Sequence, residues 1–235
     1  MQKIISLVAA GLAISSAEAQ DTWQITMTVD NQYAAYVGTN SSTTGSVIAS
    51  DNNWMTTESF TVSGMAATDY FYMATASDWS VAQGFLGEFT NVTQGFTFHT
   101  GSSAWEVLPA GAYLQQINSS WPSTWSPSQM PTQSEIDQAL AWAAANPWAW
   151  VTPAEWTDWD NRAVGNVTQW GHRVGIDESA QWIWNNTGTG NPFSPGANHD
   201  EFLIFRVPGV PTPSGATVLA ISGLMAMRRR RCGAR

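Results

Sequence analysis

Tryptophan is the residue type in this 235-residue chain that is best suited to ligand binding, and 14 tryptophans are present. The flat indole can stack on a sugar face while the sugar hydroxyls stay free for hydrogen bonds. Four tryptophans in a proline-rich region from about 118 to 160 are candidate ligand-binding residues: Trp121, Trp125, Trp148 and Trp150. Packing within this region is the alternative that we prefer, because a large exposed apolar patch is uncommon without a partner.

Carboxylates offer a second kind of chemistry. Glycoside hydrolysis needs two of them about 5 to 10 Å apart, and such a pair could come from Asp158 and Asp160 or from Asp177 and Glu178. Asp158 and Asp160 are also candidate ligand-binding residues, and their oxygens would suit calcium. Solvated loop acids are the simpler interpretation, because Asp is common in turns.

No complete catalytic or metal motif is present. The histidines His99, His172 and His199 lie in separate segments, and there is neither a Ser-His-Asp elbow nor a His-Glu-x-x-His motif. A single cysteine cannot form an internal disulfide. We therefore predict a protein that is not an enzyme, with no catalytic residue, metal or cofactor.

The first 19 residues have the layout of a secretory signal peptide. Lys3 precedes an apolar run from Ile4 to Ile14, and Ala17 and Ala19 place small side chains where signal peptidase cleaves. We predict removal after Ala19, with a buried N-terminal helix as the alternative.

The C-terminal end changes abruptly in polarity. The motif Val210-Pro211-Thr212-Pro213 precedes an apolar stretch from Ala216 to Met227. Four adjacent cations follow, which would hold the cytoplasmic end of a short membrane helix: Arg228, Arg229, Arg230 and Arg231. This order resembles the PEP-CTERM sorting tail, although Thr212 stands where that family usually has Glu. The resemblance implies transient membrane anchoring, cleavage by an exosortase, and a cell-surface or extracellular-matrix location. A permanent tail anchor and a basic solvated tail are the alternatives.

Removal of both ends makes the protein strongly acidic. Only Arg162, Arg173 and Arg206 remain of nine cations, against 17 of 18 acids, so the net charge falls from −9 to −14. Such a field repels phosphate backbones and anionic lipid, so we expect no nucleic-acid partner.

The body has the pattern of an all-β protein. In the segment from Trp23 to Val29, apolar and polar residues alternate with the period of a half-buried strand. Similar short segments, separated by Gly, Asn, Ser and Asp, occur at 33–37, 58–62, 70–75, 85–89, 96–98, 105–108, 181–184 and 202–207. This spacing predicts an antiparallel sandwich or barrel. We expect most indoles in its core, including Trp182 and Trp184.

One helix interrupts the strands. Thr132 and Glu135 stand in capping-box relation, Ile136 and Leu140 share a face, and Pro147 ends the pattern. We expect its Ala-rich face to pack on a sheet, inside an ordered insertion over about 118–160.

Several segments resemble galactose-binding-like β-sandwich domains of secreted bacterial proteins. The opening from Asp30 to Gly38 is similar to the D-N-x-Y-x-x-Y-V-N-G motif of that class, and Trp54, 84–88, 105–107, 181–184 and 202–206 follow in the same order. The resemblance implies a jelly-roll body over residues 20–207 and a role in binding extracellular polysaccharide. Non-catalytic glycan binding or adhesion is therefore the expected function. A structural matrix component without a ligand and a secreted carbohydrate-active enzyme are the alternatives.

Overall fold

The computed structural model describes residues 20–77, 81–121, 129–188, 190–194 and 201–209. The signal segment with Ala17 and Ala19, the tail with Val210 to Pro213 and the four arginines, and Trp125 lie outside these residues. Among the helices within these ranges, none is both long and apolar enough to cross a membrane.

Nine strands are present in the described residues, and every pairing between them is antiparallel. In chain order they are β1 (Asp21–Asp30), β2 (Gln32–Thr39), β3 (Ser42–Asp51), β4 (Glu58–Met65), β5 (Tyr70–Ala76), β6 (Gly84–Asn91), β7 (Phe96–His99), β8 (Glu106–Pro109) and β9 (Phe202–Pro208). They form a four-stranded sheet in the order β4-β1-β6-β7 and a five-stranded sheet in the order β3-β2-β5-β9-β8. The predicted antiparallel β-sandwich is confirmed.

The main core lies between the two sheets. Trp23, Ile25 and Met27 point inward from alternate positions of β1 and are buried. Because successive strand residues face opposite sides, the intervening Thr and Gln residues fall on the other face. Trp23 meets Phe71 of β5 edge to face, with ring centres 5.3 Å apart. The expected burial of Trp182 and Trp184 in this core is confirmed.

Helices cover the opposite face of the five-stranded sheet. The chain forms α1 (Gly111–Ile117) and α2 (Gln133–Ala145), and a 3₁₀ turn (Pro147–Ala149) follows. The predicted capping box at Thr132 and Glu135 is present. The buried side of α2, with Ile136, Leu140 and two alanines, packs in one cluster with Tyr72 and Ala74 of β5. The expected packing of this helix on a sheet is confirmed.

Two local expectations differ from the structure, and one helix was not expected. The segment 181–184 forms single bridges to three different segments instead of a strand in a ladder. The Asn40 to Gly45 stretch looks like a turn in the sequence, but the turn covers only Asn40 and Ser41. Strand β3 begins at Ser42 and pairs with β2 on both sides of a register shift between Ala35 and Val37. No sequence signal predicts α1. At 181–184, contacts with distant residues, rather than local propensity, decide the conformation.

Candidate functional site

Three aromatic rings adjoin one another on the helical layer. Tyr113 of α1 stacks on Trp142 of α2 with ring centres 4.9 Å apart and planes 24° apart. Trp142 meets Trp148 edge to face at 5.9 Å. Trp148 is 74% exposed, whereas Tyr113 and Trp142 are partly buried. We refer to these three residues as the aromatic surface.

The backbone after α2 explains why Trp148 points outward. Asn146 ends the helix with non-helical dihedrals (φ −129°, ψ 68°), and its side-chain amide donates a 2.9 Å hydrogen bond to the Trp142 carbonyl oxygen. Pro147 then opens the 3₁₀ turn, for which its fixed φ is suited. Ala149 and Trp150 face the core, so Trp148 is left on the outside.

The other candidate tryptophans in the described residues are buried. Trp121 and Trp150 are each 7% exposed. Trp121 packs edge to face on Phe202, with ring centres 4.8 Å apart. Trp150 lies beneath Arg206 and beside Tyr72. Of the three described candidates, only Trp148 therefore presents an open face to a ligand.

Asp158 and Asp160 are brought together by an arginine. Arg162 donates to Asp158 at 3.1 Å and to Asp160 at 2.5 Å and 2.6 Å. The side-chain hydrogen bonds from Arg162 lower the pKa of Asp160 below its ordinary value. A general acid in glycoside hydrolysis needs a raised pKa, so this environment favours the ionised form instead. Asp177 and Glu178 lie elsewhere, on an exposed turn.

A cleft of about 520 Å³ opens at the N-terminal end of α2. Its lining includes Tyr33, Tyr36, Asp51 and Asn52 from the β2–β3 hairpin and Gln133 from the helix. Burial, with a further contribution from Glu58 and Asp51, raises the pKa of Tyr33 above its ordinary value of 10, so its hydroxyl stays protonated. None of the ligand-binding candidates from the sequence lines this cleft.

One group of side chains in the described part of the chain has the composition of a metal site. Glu88, His99 and Asp177 each present a potential ligand atom, and these atoms lie within 4.8 Å of one another. Sequence reasoning missed this group because 78 residues separate Asp177 from His99.

Comparisons with family models, with curated proteins and with solved structures returned no match to this chain.

Proposed function

We propose that this chain is an exported, non-catalytic glycan-binding or adhesive protein, and that the aromatic surface contacts the glycan. The observation that carries the proposal is the 74% exposure of Trp148 beside two further aromatic rings. Large exposed apolar surfaces are uncommon on soluble proteins and tend to mark interaction sites.

The surroundings of Trp148 favour stacking on a flat partner. The Trp148 ring contacts Trp142 edge to face, and its backbone lies within the 3₁₀ turn that begins at Pro147. A side chain that is already ordered loses little freedom on binding, which leaves more of the contact energy as affinity. Sugar rings present apolar faces of suitable size for an indole.

The net negative charge of residues 20–207 favours neutral glycans as ligands. With three cations against 17 acids between residues 20 and 207, the protein repels acidic polysaccharides at low ionic strength. We therefore expect neutral glycans to bind in preference to uronic acid-rich or sulfated ones.

A structural matrix component is the second candidate. The buried indoles at Trp23, Trp105, Trp182 and Trp184 pack in the core and need no ligand. Under this hypothesis Trp148 contacts another matrix protein, and the chain binds no glycan.

We propose in addition that the chain is exported and sorted to the cell surface, and that its body is a galactose-binding-like jelly roll. The small residues at Ala17 and Ala19 and the Pro-x-Pro, apolar and Arg-rich order of the tail support signal cleavage and exosortase sorting to the surface. The antiparallel four- and five-stranded sheets support a jelly-roll body of the galactose-binding-like kind.

The test is binding of the purified full chain to an array of neutral and acidic polysaccharides, followed by titration of the positives. Trp148→Ala should weaken binding at least about tenfold, because exposed aromatic anchors dominate such contacts. Trp156→Ala is the matched control, since Trp156 is 42% exposed and outside the aromatic surface. It should leave binding unchanged. Failure of the wild-type chain to bind any polysaccharide would favour the structural candidate. Equal losses in both variants would refute the assigned surface.

A further inference from the structure

The outer face of the four-stranded sheet carries a polar row that crosses four strands. Ser59 of β4 pairs with Thr26 of β1, Thr26 pairs with Glu88 of β6, and Glu88 pairs with His99 of β7. Asp177, from a loop in the second half of the chain, completes the row beside Glu88 and His99. This face lies on the opposite side of the sandwich from the helices and the aromatic surface.

Hydrogen bonds orient both carboxylates. The backbone N–H of Asp177 donates to Glu88 Oε2 at 2.9 Å. The backbone N–H and the hydroxyl of Ser179 donate to Asp177 Oδ1 at 2.8 Å and 2.5 Å. Within the described residues the other oxygen of each carboxylate, Glu88 Oε1 and Asp177 Oδ2, takes no hydrogen bond. Each acid therefore has one oxygen held by the chain and one left for a ligand.

The buried side chain of Asn161 holds the loop that carries Asp177. Asn161 is fully buried, and its side-chain amide donates to the carbonyl oxygens of Arg173 at 2.9 Å and Ile176 at 2.8 Å. Its side-chain oxygen accepts a 2.7 Å hydrogen bond from the Arg173 backbone. Ile176 is buried in the main core. The backbone of Asp177 is thus held by the core one residue away.

No arginine in the described residues pairs with the carboxylates of Glu88 and Asp177. Arg162 pairs with Asp158 and Asp160, Arg206 pairs with Glu106, and Arg173 donates to the Met55 carbonyl oxygen. Two carboxylates that converge without an arginine partner repel each other, and a bound cation would remove that repulsion.

We propose that Glu88, His99 and Asp177 bind one Zn²⁺ ion. Zinc accepts imidazole nitrogen and carboxylate oxygen together at about 2.0 to 2.2 Å, so two ligand atoms of a tetrahedral site lie about 3.4 Å apart. The three potential ligand atoms lie within 4.8 Å of one another, and rotation of these side chains brings them to that separation. Calcium is disfavoured, because it takes six to eight oxygen ligands. Three protein ligands leave a fourth position for water.

The test is isothermal titration of the metal-free full chain with ZnCl₂, with CaCl₂ and MnCl₂ in parallel. We expect one Zn²⁺ per chain, and at least about tenfold weaker binding in Asp177→Asn, Glu88→Gln and His99→Gln, because each removes a ligand. Glu178→Gln is the matched control, as it removes a neighbouring exposed charge outside the cluster. It should retain wild-type affinity. Near-ultraviolet circular dichroism of the metal-free variants checks that the fold is retained.

Three results would overturn the site. The first is the absence of zinc binding when ZnCl₂ is in 100-fold molar excess over the protein. The second is undiminished binding in all three ligand variants, which would place the ion on other residues such as His172 or Cys232. The third is binding of Ca²⁺ in preference to Zn²⁺, which would exclude the imidazole as a ligand. Glycan binding through Trp148 does not depend on this site, so either proposal can fail without the other.

Discussion

The guanidinium carbon of Arg206 lies 3.8 Å from the centre of the Trp150 ring. The same side chain donates to Glu106 at 2.7 Å and to Asn40 at 2.8 Å, and it lies 5.0 Å from the Tyr70 ring. Arg206 is on β9, a strand that has helices on one face and the main core on the other. It therefore connects the segment around Trp150 to the five-stranded sheet.

Replacement of Arg206 by Met should lower the free energy of unfolding by about 2 kcal/mol. The loss combines a desolvated cation–π contact with charge-assisted hydrogen bonds. Glu106 is partly exposed and can be hydrated once unpaired, which limits the cost. Urea unfolding followed by tryptophan fluorescence measures the change.

Arg162→Met is the comparison for this measurement. Arg162 bonds Asp158 and Asp160 at the surface, where ion pairs contribute little. Its denaturation midpoint should stay close to that of the wild type. Equal destabilisation of the two variants would contradict the anchoring role of Arg206.

Trp148 and Trp150 are two residues apart but should respond oppositely to truncation. Trp150→Ala removes a buried indole and should cost about 3 to 5 kcal/mol of stability. Trp148→Ala removes an exposed one and should change stability by less than about 0.5 kcal/mol. Thermal unfolding of both variants in the absence of glycan measures the difference. A large loss in Trp148→Ala would mean that the aromatic surface is a packing contact.

Features that depend on a local sequence pattern could be predicted from the sequence. Alternation in β1 predicted a half-buried strand, and the capping relation of Thr132 and Glu135 predicted the start of α2. Both patterns depend only on residues that are close together in the chain. The tryptophan pair at 148 and 150 was also identifiable as a candidate site, but the sequence did not show which indole faces solvent.

Features that depend on contacts between different elements were not predictable in this way. The strand β3 is rich in Ser and Thr, and its pairing with β2 supplies the order that its composition does not indicate. The cleft near Tyr33 exists only because residues 130–133 fold against the β2–β3 hairpin. Glu88 and His99 meet across two strands, and Asp177 joins them through a buried anchor at Asn161.

Glu135 should make the stability of α2 depend on pH. Burial acts to raise its pKa, but hydrogen bonds from Asn118 and Thr132 outweigh this and leave the pKa below the ordinary 4.5. A carboxyl whose folded pKa is lowered stabilises the protein above its unfolded pKa. That stabilisation is lost as the pH falls through the folded pKa.

The measurement is the difference in unfolding free energy between the wild type and Glu135→Gln at pH 7 and at pH 3. Gln still fills the capping box, so the variant removes the titration and keeps the geometry. We expect the wild-type advantage to shrink in acid, and to be smaller at pH 7 in an Asn118→Ala background, which lacks one stabilising donor. A difference that does not change with pH would contradict this assignment.

Processing at both ends should leave the folded body intact. Strand β1 begins at Asp21, so cleavage after Ala19 leaves a single residue, Gln20, before the first ladder pair with Met65. The last strand, β9, ends at Pro208, two residues before the proposed sorting motif begins at Val210. Intact-mass analysis of the exported product should therefore give a chain that starts at Gln20 and lacks the four tail arginines. Retention of Arg228 to Arg231 would favour a permanent anchor, and retention of Met1 would refute signal cleavage.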